Sequence, residues 1–151
     1  MTDSFAPGWP GIPGRWTSSA KSGVGASLSG DSHIWFTISH GVVNELYYPR
    51  VDRACTRDME FIVTGPGGFF SEEKRHATHE ISCSTPGVPS YHLRNTDPAG
   101  HYRIEKTLIT DPLRPVLLQR SRFTALTGSR ADYRLYLLIA PHLGNRGAGN
   151  T

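Results

Sequence analysis

The chain has 151 residues, of which 37% are hydrophobic and 19% charged, and its formal net charge is +3. This composition excludes a disordered polyelectrolyte, and one domain of this length hides roughly 70% of its unfolded-chain surface. The sixteen Lys and Arg are scattered, with only SEEKRH (71–76) and RSR (120–122) locally charged, and no apolar run is long enough to span a membrane. Nucleic acid and membrane are therefore not expected as partners.

The opening MTDSFAPGWPGIPGRW has neither a basic segment nor an apolar one behind it, so no secretory signal is expected. Cys55 and Cys83 are too few for a disulfide framework and read as free thiols. A cytoplasmic location is the corresponding expectation.

Residues 1–14 contain FAPGWPGIPG, whose prolines and glycines exclude regular helix and predict an extended strap anchored by Trp9 and Ile12. SSAKSGVGASLSG (18–30) reads as a flexible loop or hairpin tip. After the turn signal SGDS, SHIWFTIS (32–39) is β-branched and aromatic, a strand pattern that puts one of Trp35 and Phe36 inside. DMEFIVTG (58–65) is a second strand, stopped by GPGG. HATHEIS (76–82), SYHLRNT (90–96) and HYRIEKTLIT (101–110) alternate, with TPGVP and DPAG as punctuation. In the last, Tyr102, Ile104 and Leu108 share a face, and Ile109 breaks the alternation.

PVLLQRSRFTAL (115–126) and ADYRLYLLIA (131–140) are the longest strand candidates. The second is apolar on both faces, which predicts a strand interior to two layers. No segment has a sustained 3.6-residue period. Short strands at intervals of about 8–12 residues predict an all-β, antiparallel β-sandwich. A chain stopping soon after so apolar a strand predicts an incomplete domain whose open edge self-associates.

Residues 40–58, HGVVNELYYPRVDRACTRD, carry more polar groups than a structural strand requires. Three readings compete. Glu45 with Asp52 or Asp58 could form an acid/base pair. A strand turning at Pro49, with Arg57–Asp58 as a surface ion pair, is the plain alternative. The third is a docking surface built from Asn44, Glu45, Tyr47, Tyr48, Arg50, Arg57 and Asp58, since tyrosine and arginine combine contact area with directional hydrogen bonds.

Trp9, Trp16 and Trp35 are a candidate sugar platform, with Tyr47 and Tyr48 beside them. His76 and His79 form an HxxH with His33 and His40 upstream, but residues three apart on a strand face opposite ways. No metal or other cofactor is expected. VTGPGGFF has no helix signal behind its glycines and reads as a turn, not a phosphate cradle.

The segments APGWPGIPGRWTSSAKSGVG (6–25), WFTISHGVVNELYYPRVDRACTRDMEFIVT (35–64), FFSEEKRHATHEI (69–81) and the closing APHLGNRGAGN resemble a known family. This is the amino-terminal domain of bacterial and archaeal glucoamylases and glucodextranases, in glycoside hydrolase family 15. The resemblance implies a supersandwich-like β-domain placed before a catalytic (α/α)₆ barrel that hydrolyses α-glucans with inversion. Inversion takes two carboxyls roughly 6.5–9.5 Å apart. By this resemblance residues 15–151 are the first part of the sandwich and the barrel is not present, so no glutamate here carries over as acid or base. The implied partners are the barrel of the same polypeptide and α-glucan oligosaccharides. A freestanding carbohydrate-binding or scaffolding sandwich is the alternative.

Overall fold

The computed structural model describes residues 20–142, which fold as ten strands and one short helix. In chain order these are β1 (Gly23–Ala26), β2 (Trp35–Ser39), β3 (Val42–Tyr47), β4 (Ala54–Thr64), β5 (Phe70–Glu72), α1 (Glu73–His76), β6 (Thr78–Thr85), β7 (Val88–Thr96), β8 (Tyr102–Thr110), β9 (Leu117–Ala125) and β10 (Arg134–Pro141). Sheet one runs β1-β2-β3-β4-β10, with β5 also paired to β4; sheet two is the meander β6-β7-β8-β9. All pairings are antiparallel. This is the all-β sandwich that the strand spacing predicts. No helix among the described residues is long and apolar enough to cross a membrane.

Local chemistry sets the register. Ser39 pairs with Val42 across the two-residue turn His40–Gly41, where both residues have positive φ (49° and 68°). Such a turn matches the right-handed twist of the flanking strands. Gly41 is required twice, because a Cβ there would also strike Asn95 Oδ1 and His79 Nδ1. TPGVP closes the β6–β7 hairpin, with Thr85 paired to Val88 and Gly87 at φ 79°.

Two apolar clusters fill the space between the sheets. Phe36, Ile38 and Val43 of sheet one meet Leu93 and Leu108 of sheet two. Val63 meets Tyr102, Ile104 and Tyr133 in the second cluster. Phe36 is inside and Trp35 only half-buried, which settles that pair. Burying such side chains stabilises by about 1.5–3 kcal/mol each.

The structure corrects three sequence expectations. Residues 18–30 are not all loop: β1 pairs with β2 because glycine at 25 leaves room for the Phe36 ring directly against the backbone. HATHEIS is not one strand, since His76 ends α1 and β6 begins at Thr78. That helix is only one turn long, too short to show a 3.6-residue period. β10 is not interior: it is the edge of sheet one, and all eight of its residues are exposed. In β8 Tyr102, Ile104 and Leu108 do share the buried face, as the alternation predicts, and Lys106 is buried with them. The proposed strap at 1–14, including Trp9, and also Trp16, lie outside the described residues.

Candidate functional site

Residues 44–58 belong to β3, the loop after it and the first half of β4, all in sheet one. A β-bulge where β2 meets β3 turns Glu45 outward, while Val43 and Asn44 are buried. Glu45 is a hub. Its Oε2 accepts from Lys21 Nζ at 2.9 Å, Tyr47 Oη at 2.7 Å and Thr37 Oγ1 at 3.4 Å. Burial pushes its carboxyl pKa up, but the hydrogen bonds from Lys21 and Tyr47 outweigh this and hold it below the ordinary glutamate value. Tyr47 moves the other way, to about 12, through burial and the adjacent Glu45 charge. A carboxylate held ionised in this way is unsuited to act as a general acid.

Other members of the stretch are placed individually. Arg50 and Asp52 form a two-pronged exposed pair, Nε–Oδ1 and Nη2–Oδ2 both 3.0 Å, which contributes little to stability. Tyr48 is exposed, and the loop closes through Tyr48 N donating to Arg53 O. Arg57 and Asp58 do not pair with each other. Asp58, at φ 41°, instead meets Lys74 Nζ of α1 at 2.8 Å. Arg57 lies opposite Glu45 in the β3–β4 register.

Two buried donors of this stretch stand without a hydrogen-bond partner among the described residues: Asn44 Nδ2 and Arg57 Nε. Asn44 Oδ1, by contrast, accepts from Lys21 Nζ at 3.3 Å. Buried polar groups are nearly always satisfied, so a pair of orphans beside one hub asks for a partner.

Beside the hub, Trp35 and Tyr47 are cross-strand neighbours. With Val24, Leu28, Val51 and Pro89 they line an open apolar cleft of about 470 Å³. The structure thus brings Trp35 to Tyr47, joins Asn44 to Glu45 through Lys21 and Tyr47 to Glu45 directly, but leaves Tyr48 and Arg50 apart on the loop.

Sequence reasoning missed Lys21 and Thr37, which no spacing rule links to residue 45. It also missed a second polar cluster, between the sheets. Glu73 Oε2 accepts from Lys106 Nζ at 2.7 Å and Phe61 N at 2.9 Å, and Oε1 accepts from Asn95 Nδ2 at 2.5 Å. Asn95 Nδ2 also donates to Gly41 O at 2.8 Å. His79 Nδ1 lies 3.0 Å from Asn95 Oδ1, and His76 Nδ1 accepts from Glu72 N at 2.8 Å. The two HxxH histidines therefore have separate protein partners, and no group of three or more His, Cys, Asp or Glu among the described residues could hold a metal.

Comparison with known proteins agrees with this architecture. The family model described as glucodextranase, domain N, matches residues 6–151. A glucoamylase of Clostridium sp. (strain G0005) is 40% identical over 141 residues, which are 93% of this chain and 20% of that protein. A crystal structure of a bacterial glucoamylase complexed with acarbose superimposes with a TM-score of 0.83 at 38% identity, covering 94% of this chain and 21% of that one. The chain thus spans about a fifth of each relative. With the family model matched over nearly its whole length, the chain belongs to the glucodextranase domain N family.

Proposed function

We propose that this chain is the opening part of an amino-terminal β-sandwich in a glucoamylase- or glucodextranase-like α-glucan hydrolase. Its role is to dock on the catalytic (α/α)₆ barrel of the same polypeptide and brace the rim of the sugar pocket. Hydrolysis belongs to the barrel, and this chain supplies no acid or base. The observation that carries the docking reading is the pair of orphaned buried donors, Asn44 Nδ2 and Arg57 Nε, on either side of the Glu45 hub. Both gain acceptors if the side chains that cover them move aside as carbonyl or carboxylate groups of a neighbouring domain close over sheet one. Tyr47, Tyr48 and Arg50 supply the surrounding contact area. The one-fifth coverage of the relatives supports the presence of a much larger parent protein.

The test is the intact mass of the native gene product in its host, identified by peptides from this chain. A product several times heavier than 16.6 kDa is expected. A product of 16.6 kDa would remove the barrel from the account.

A second reading rests on the Trp35–Tyr47 cleft, whose aromatic walls suit the apolar face of a sugar ring. Titration with malto- and isomalto-oligosaccharides, followed by tryptophan fluorescence, separates the two. Saturable quenching lost in Trp35→Ala favours a carbohydrate-binding module; an unchanged signal favours docking.

A further inference from the structure

The outer face of sheet two carries a groove of about 530 Å³, on the other sheet from the Glu45 hub. The register lays two cross-strand rows along its floor. One runs Glu80, Arg94, Glu105, Arg122, and the next runs Ser82, His92, Thr107, Arg120. Charges in the first row are largely matched inside the chain. Arg94 lies 3.4 Å from Glu80 and 3.8 Å from Glu105, and Arg103 lies 4.0 Å from Glu105.

The β9 wall differs. Arg120 and Arg122 are two apart on one strand, project to the same face, and are both exposed. Neither has an ion-pair or hydrogen-bond partner among the described residues. Next to Arg120, Thr107 Oγ1 and His92 Nδ1 are 3.2 Å apart, and the Nε2 of that imidazole has no hydrogen-bond partner among the described residues.

Two unmatched guanidinium forks side by side suit a single oxyanion, because each can give paired N–H donors to carboxylate or phosphate oxygens. The rest of the groove is not suited to a polyanion, since Glu80 and Glu105 would repel it. Carboxylate oxygens, hydroxyls and an imidazole nitrogen are instead the partners that sugar hydroxyls require. The groove volume is within the ordinary range for small-ligand sites.

The geometry points to a binding site for a sugar phosphate, with Arg120 and Arg122 on the phosphate. The hydroxyls of the sugar face Thr107, His92 and Glu105. An isolated phosphate would find only half of these partners, and a neutral sugar only the other half.

The test is calorimetric titration of the full chain with glucose 6-phosphate at low ionic strength, alongside inorganic phosphate and glucose. Saturable binding of glucose 6-phosphate is expected, with each simpler probe bound more weakly. In Arg120→Gln/Arg122→Gln, binding should fall by about tenfold or more. Both arginines are exposed, so thermal unfolding of that variant should match the parent. Thr107→Val is the second variant and should weaken glucose 6-phosphate while leaving inorganic phosphate unchanged. Absence of saturable binding, or binding unaltered by loss of both arginines, would overturn the site. Inorganic phosphate binding as tightly as glucose 6-phosphate would overturn the assignment to a sugar phosphate.

Discussion

Lys106 of β8 and Glu73 of α1 meet as a fully buried ion pair that ties the two sheets together. Nζ and Oε2 are 2.7 Å apart, and both side chains are 0% exposed. Glu73 also receives Phe61 N from sheet one and Asn95 Nδ2 from sheet two, so one carboxylate links β4, β7 and β8. The Lys106 charge lies 5.4 Å from the centre of the Phe61 ring as well. A buried charge with this many partners is costly to strand.

Lys106→Met leaves Glu73 buried without its counter-charge and should destabilise the fold by about 3–5 kcal/mol. Adding Glu73→Gln removes the stranded charge and should recover part of that loss. Urea unfolding of the parent and the two variants checks both statements. Equal stability of Lys106→Met and the parent would mean the pair contributes nothing.

Gly41 is the second prediction. A Cβ there meets Asn95 Oδ1 and His79 Nδ1, and the residue sits at φ 68°. Gly41→Ala should therefore destabilise the chain by more than 1 kcal/mol, whereas Gly87→Ala, with open space around it, should show only the backbone cost of about 1 kcal/mol. Thermal unfolding orders the two.

Most of the strand framework was legible because alternation and turn chemistry agree in β2, β7 and β8. Tyr102, Ile104 and Leu108 declared the buried face of β8, and parity along that strand places Lys106 with them. Its hydrophilic identity hid it, since a buried lysine is intelligible only once Glu73 is in place. β10 misled for the opposite reason. Leu135, Leu137 and Ile139 with Tyr136 and Leu138 describe a strand covered on both sides, yet within these residues nothing covers it. The stretch 40–58 was legible as unusual, but the Glu45 hub was not. Lys21 lies 24 positions from Glu45, a separation that no local pattern reveals.

The pH dependence of the half-buried Glu45 and the buried Glu60 should have opposite signs. The folded pKa of Glu45 is below 4.5, so it contributes stability present above that value and lost as pH falls through the folded pKa. Burial raises the pKa of Glu60, despite the hydrogen bond from Lys74 N. Its contribution is fully present below pH 4.5 and is lost as pH rises through the folded value. Denaturation midpoints of Glu45→Gln and Glu60→Gln measured from pH 3 to 7 test this. Relative to the parent, Glu45→Gln should lose least at the acid end, and Glu60→Gln should compare more favourably as pH rises.

The exposed apolar edge gives a prediction about association. Leu135, Tyr136, Leu137, Leu138 and Ile139 are each at least 40% exposed on β10, whose outer backbone edge has no strand beside it among the described residues. Such an edge pairs readily with another chain. The isolated 151-residue chain should therefore self-associate in light scattering, and Leu137→Lys with Tyr136→Lys should reduce the assembly to monomer. A strictly monomeric parent would contradict this.

The central claim is that residues 44–58 form a surface closed over by a second domain. Hydrogen–deuterium exchange of the native gene product, compared with the 151-residue chain alone, tests it most directly. The account predicts slower exchange at Tyr47–Arg53 in the native product, with sheet two unchanged. Equal exchange of that segment in the two samples would contradict docking through the Glu45 hub.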